Sequence, residues 1–254
     1  MLRKYNNSRT LGDNKKLGAL TAFSAGMVNV ASVIVFFAFT SNVTGHFAIL
    51  AEEIAKKNWY QAAVVFTWIF SFFIGNFTSN FIVIHSNKRN RSLSHAIPLC
   101  IEIICLLSVG IYGQYFYQET LTETEIMIGL LLFAMGIQNG LTATISNFAV
   151  KTTHLTGLTT DLGILLAMFT KRVFRENEKL VGKAQLLMTI ASSYLIGGIL
   201  SGILYLNIQF KVFFVVCFVI LIILVYDYSK LKVARFVRAR KTITPRWNTI
   251  TSES

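Results

Sequence analysis

Apolar and polar positions follow one another in blocks along this chain. Six apolar blocks, at about residues 18–39, 60–84, 97–117, 126–150, 184–206 and 211–228, are each long enough for a spanning helix. Crossing a hydrocarbon layer about 30 Å thick takes about 20 residues of helix. Two further apolar pieces are shorter, Thr44 to Ala55 and Thr156 to Phe169. As helices, at about 1.5 Å per residue, they reach only about 18–21 Å. Such pieces fit re-entrant or broken elements, which membranes tolerate where protein surrounds them. The pattern predicts an all-α integral membrane protein with six transmembrane helices plus two short re-entrant or broken helices.

Composition agrees. Of 254 residues, 54% are hydrophobic and 14% charged, an apolar load that a soluble domain of this size does not bury. A net charge of +12 raises the question of nucleic acid. No nucleic-acid motif accompanies it, and the basic residues lie in the short polar segments between apolar blocks. That is where the positive-inside bias puts them. With the two short pieces dipping in and returning, 21 of the 24 Lys and Arg residues share one side, and only Lys56, Lys57 and Lys211 lie opposite with the acidic loop Glu119–Glu125. If the short pieces crossed, Lys88, Arg89 and Arg91 would lie outside, against the bias. The expected topology has both termini cytoplasmic in a cell (inner or plasma) membrane. The organisation is a cytoplasmic arm (1–17), a first membrane repeat (18–117), a second (126–228) and a basic cytoplasmic tail (229–254). No cleavable signal peptide is expected, because the first apolar block is long enough to stay as a helix. The tail's basic cluster suits anionic lipid headgroups as well as topology anchoring.

The halves match in three places and in the same order. "GMVN" (Gly26–Asn29) matches "GIQN" (Gly136–Asn139); Thr44-Gly45 matches Thr156-Gly157; "SFFIGNFTSNFI" (Ser71–Ile82) matches "SYLIGGILSGIL" (Ser193–Leu204). Each half reads as span, short element, span, span. Three spans are an odd number, so the halves point in opposite directions, a 3+3 inverted-topology repeat of the kind common among transporters. Ser71, Gly75, Ser79 and Ser193, Gly197, Ser201 recur every four residues, a ridge of small residues for close helix packing.

The stretches "GMVN … TSNVTGHFA" and "GIQNG … TTHLTGLTTDLG" resemble those of the YoaK family of bacterial multi-pass membrane proteins, over about residues 18–228. The resemblance implies a bacterial inner-membrane protein of this size and span count. It brings no activity, cofactor or site residue.

The polar turns carry the candidate chemistry. A helix that begins inside the membrane leaves its first N–H groups without partners, and hydroxyls can cap them while glycine lets the chain turn. Two readings stand. The turns at Thr44, Gly45, Thr156 and Gly157 either cap buried helices or form a substrate site with Asn29 and Asn139, where two positive helix ends meet near the midplane. The asparagines equally suit interhelical packing. Among ionisable residues, Asp161, His154 and His46 are candidates for proton or ion coupling. For Asp161 the alternative is dipole complementation of its own helix, and for the histidines a hydrogen-bonding wall role. Glu102 is an intramembrane candidate of the same kind, but it lies only a few residues past a cytoplasmic loop, and the leading reading is that it snorkels or pairs with a nearby arginine. Cys100, Cys105 and Cys217 lie in apolar runs, at no metal-ligand spacing and odd in number. No metal, cofactor or catalytic constellation is expected, and no ATP-binding motif is present. The function this supports is a secondary transporter of a small polar or anionic solute. The alternatives are a passive pore or a non-transporting structural or sensory membrane protein.

Overall fold

A computed structural model describes residues 10–85 and 91–225. The basic tail and most of the N-terminal arm therefore lie outside the described residues. The described chain is helical: α1 (Leu11–Phe36), α2 (Val43–Ala55), α3 (Trp59–His85), α4 (Arg91–Tyr115), α5 (Leu121–Ile145), α6 (Leu155–Met168), α7 (Arg172–Arg175), α8 (Glu178–Ile208) and, after a 3-10 turn at Gln209–Lys211, α9 (residues 212–225). By length and hydropathy, five described segments suffice to cross a membrane, so this is a multi-pass membrane protein. The fifth, at 48 residues, is no single rod. Gln209 adopts φ 48° and ψ −130°, and the helix breaks there.

Helix ends differ from the hydropathy blocks for local reasons. α1 starts inside the expected arm because Thr10 and Asp13 form a capping box. α5 stops at Ile145, short of the apolar run's end, and Asn147 and Phe148 turn the chain with positive φ. Phe37, at the place in the first half that matches Asn147, does the same. The Thr-Gly glycines do not turn the chain: both lie within helices, and no described glycine has positive φ.

Side-chain neighbours fix the helix directions. α1 and α8 run parallel, with Leu11 beside Gly182, Gly18 beside Ile190 and Ile34 beside Gly202. α3 and α5 run parallel, with Tyr60 Oη donating to Glu125 at 2.7 Å, Phe72 beside Gly136 and Asn80 beside Gly140. α1 opposes α5: Phe36 packs edge-on to Tyr117 at 5.8 Å, Gln138 Nε2 donates to Ser24 Oγ at 2.6 Å, and Val150 lies beside Gly18. α9 opposes α4, with Phe210 on Gly113, Phe213 on Gly110 and Cys217 reaching Ile103 O. α1 therefore ends at the face where α3 begins. α5 ends towards the face where α8 begins.

α1 and α5 are apolar around their whole circumference, and so they take the centre. α3 and α8 flank them and expose one side, which carries Phe66, Phe70, Phe73 and Phe77 on α3 and Leu195, Ile199 and Ile203 on α8. At each crossing two glycines meet backbone. Gly26 abuts the Tyr194 carbonyl while Gly197 abuts that of Phe23. Gly136 abuts the Phe72 carbonyl while Gly75 abuts that of Phe133. Ser201, fully buried, donates to Met27 O at 2.8 Å. These small residues let α3 lie directly on α5 and α8 on α1.

Candidate functional site

After α1 the chain turns back into the bundle. Asn29, two turns below the end of α1, accepts hydrogen bonds from Thr40 N (3.0 Å) and Ser41 N (3.2 Å). Ser41 Oγ and Tyr194 Oη share a further bond at 3.3 Å, which ties the turn to α8. α2 then begins at the depth of Asn29 and climbs along α3 to leave by the face from which the chain entered. Its cap is the Asn42 side chain, which accepts from Gly45 N at 3.3 Å. The expected Thr44 hydroxyl does not cap it; Thr44 is exposed. His46 is buried, with Nε2 2.7 Å from Phe39 O and its ring edge-on to Trp68. The Asn29 oxygen is spent on the backbone. The backbone of the first turn is held by Asn29, while Thr40 Oγ1 and His46 Nδ1 are buried without hydrogen-bond partners among the described residues.

The second turn is built differently. α6 starts deep, with Leu158 packed in a cluster with Ile190, and runs out antiparallel to α8, so that Asp161 reaches Lys183 at 2.8 Å. His154 occupies the N-cap position, and no side chain caps the helix. Its ring lies over Gly157, where a Cβ would meet it at 2.9 Å. Asn139 Oδ1 and Thr152 Oγ1 are buried without hydrogen-bond partners among the described residues. Thr156 is exposed.

A cavity of about 670 Å³ opens at this turn, lined by Lys151, His154, Gly157, Asp161, Lys183 and Asn14, with an apolar back wall from Leu186 to Ile190. His154, Gly157 and Asp161, three residues singled out in the sequence, meet here. Asn29, Thr44, Gly45, His46, Asn139 and Thr156 do not line it, so the two short helices do not present their ends to one shared chamber. Two lysines face one aspartate, and the uncapped start of α6 adds about half a positive charge. Asp161 and Lys183 side chains are 43% and 52% exposed, so their pairing contributes little to stability, about 0–1 kcal/mol. What it does is hold Lys183 at the cavity. Lys151 and Lys183 were legible in the sequence only as topology markers. No described group of His, Cys, Asp and Glu has the arrangement of a metal site.

A second cavity, of about 720 Å³, lies between α3 and α5 beneath Phe70 and Ile74. Its walls are mostly apolar; Tyr60 and Glu125 bond each other, and the Thr67 and Ser71 hydroxyls donate to carbonyls of their own helix. It offers a solute no converging polar groups.

The family described as "protein of unknown function (DUF1275)" matches residues 17–226. No curated protein and no solved structure matches the chain.

Proposed function

The chain belongs to the DUF1275 family of membrane proteins, to which its sequence motifs pointed, and we propose that it is a secondary carrier of a small anion. Its loading site is the cavity at the start of α6. The observation that carries this reading is the pairing of Lys151 and Lys183 with an uncapped helix start in one open chamber. An anion there gains the lysine charges and the first N–H groups of α6, while Asp161 limits the excess of positive charge when the site is empty. The charge bias assigns the Leu11 face to the cytoplasm, so the cavity is the inward-facing mouth.

An inverted repeat of six spans and two re-entrant helices is the architecture that goes with this reading. It is supported by the opposed directions of α1 and α5 and by the reciprocal glycine crossings. It is supported too by α2 and α6, which each leave by the face from which the chain entered. In such a frame the halves rock about the glycine contacts and the site changes sides.

The test starts with binding. The purified protein is melted in sulfate, phosphate and two- to four-carbon carboxylates, against chloride at equal ionic strength. An anion present at about 100 times its Kd stabilises by about 2.7 kcal/mol. At least one is expected to raise Tm in the wild type and to lose that effect in the double variant Lys151→Gln/Lys183→Gln, while Asp161→Asn strengthens it. If no anion separates wild type from the double variant, the cavity is no anion site. Proteoliposome flux of the binding anion then distinguishes the mechanisms: saturable uptake against a gradient is a carrier's behaviour, and unsaturated downhill flux a pore's.

A further inference from the structure

Glu102 departs from the snorkelling role expected for it. It stands near the middle of α4, about 16 Å from its start and about 20 Å from its end, and a glutamate side chain cannot reach an interface from there. Its exposure is 0%, and neither carboxyl oxygen has a hydrogen-bond partner among the described residues. Its surroundings are the apolar seam of α4, α5 and α9, with Leu99, Ile103, Leu106, Val216 and Ile220 in one cluster. The titratable groups near it are thiols, Cys105 on its own helix and Cys217 on α9. Among the described residues, no lysine or arginine pairs with it.

An ionised carboxylate buried in such a place costs several kcal/mol that only a partner offsets, and the seam provides none. The neutral acid meets the site far more cheaply. Intramembrane carboxyls of this kind mark proton sites more often than packing, since any apolar residue of similar volume would pack better. A route and a joint accompany it. His95, buried two turns earlier on the same side of α4, lies between Glu102 and the cytoplasmic end. Pro98, one turn before Glu102, interrupts the bond ladder of α4 and gives the helix a place to bend.

We infer that Glu102 is an exchangeable proton-binding site in the middle of the membrane, loaded in the conformation seen and reached from the cytoplasmic face when α4 bends at Pro98. The inference is independent of the anion cavity, whose residues lie on other elements. Either can fail without the other.

Infrared spectroscopy of the full chain in lipid tests it. At neutral pH the wild type is expected to show a protonated-carboxyl C=O band that Glu102→Gln loses, and on transfer to D2O that band is expected to shift within minutes. If Glu102→Gln removes only carboxylate absorption, the residue is ionised and the inference falls. If the acid band is present but fails to shift in D2O over a day, the proton is locked in and Glu102 is a structural acid, which also overturns it. Should Glu102→Gln not fold, Glu102→Asp assigns the band by displacing its frequency.

Discussion

Replacing Gly26 by alanine is expected to strip the protein of a large part of its stability, while the same change at Gly163 leaves it unharmed. A Cβ on Gly26 would land on the Tyr194 carbonyl oxygen, deep inside van der Waals contact, and the obstacle is backbone with no rotamer to yield. Overpacking usually costs 1–3 kcal/mol where side chains can move aside. Here α1 and α8 must part along their length, which also breaks the bond from Ser201 to Met27 O. A loss of about 3 kcal/mol or more follows, which lowers Tm by roughly 6–12 °C for a chain of this size. Gly163, on α6, has nothing within 4 Å of its would-be Cβ, and alanine there gains up to about 1 kcal/mol of helix propensity. The reciprocal glycine contacts make the prediction stricter. Gly136, Gly75 and Gly197 occupy the reciprocal positions and abut carbonyls in the same way, so their alanine variants should melt as early as Gly26→Ala. Fluorescence-detected size exclusion after graded heating reads all five. A Gly26→Ala protein melting with the wild type would mean that the crossing is looser than described. Early melting at one crossing and not at the other would break the equivalence of the two crossings.

Those glycines also mark what the sequence could and could not reveal. Their recurrence in "GMVN", "GIQN" and the two Ser-Gly-Ser ridges was legible, because close helix contact in a membrane selects small residues at a four-residue period. Which helix each one faces was not, since that depends on the chain direction around α1 and α5. The spans were legible from apolar length alone. Their ends were not, because Thr10 and Asp13 start α1 within a polar stretch, and α5 stops at Ile145 inside the apolar run, where left-handed Asn147 and Phe148 turn the chain. The hydroxyls of "SNVTG" suggested the cap of α2, but the capping group is Asn42, a stronger capping type within the same stretch. Asn29 stood out as a polar residue halfway along a span, yet its partners are backbone groups eleven and twelve positions on, brought back by a turn that hydropathy does not register. The cavity depends on Lys183 meeting Asp161 across α7. No local pattern encodes that contact.

Single cysteines at the two short helices are expected to react from opposite faces, and one asparagine is expected to govern only one of them. In a background lacking Cys100, Cys105 and Cys217, Thr44→Cys should label with an impermeant thiol reagent from the outside alone and Thr156→Cys from the inside alone. Both positions are exposed, each on a helix that leaves by the face from which the chain entered. The asparagines then separate the two turns. Asn29→Ala leaves the Thr40 and Ser41 amides buried without an acceptor, at about 1–3 kcal/mol each. The turn therefore spends more time open, and with tenfold per 1.4 kcal/mol the labelling rate at Thr44→Cys should rise by on the order of tenfold or more. Asn139 Oδ1 accepts nothing among the described residues, so Asn139→Ala should leave the rate at Thr156→Cys within about a factor of two, a few tenths of a kcal/mol. Labelling of both cysteines from one face would remove the opposed re-entrant pair and the alternating-access reading built on it. Equal acceleration by the two asparagine variants would leave the topology standing. It would also show that Asn139 holds the second turn as firmly as Asn29 holds the first, and the inner turn would then be as closed as the outer.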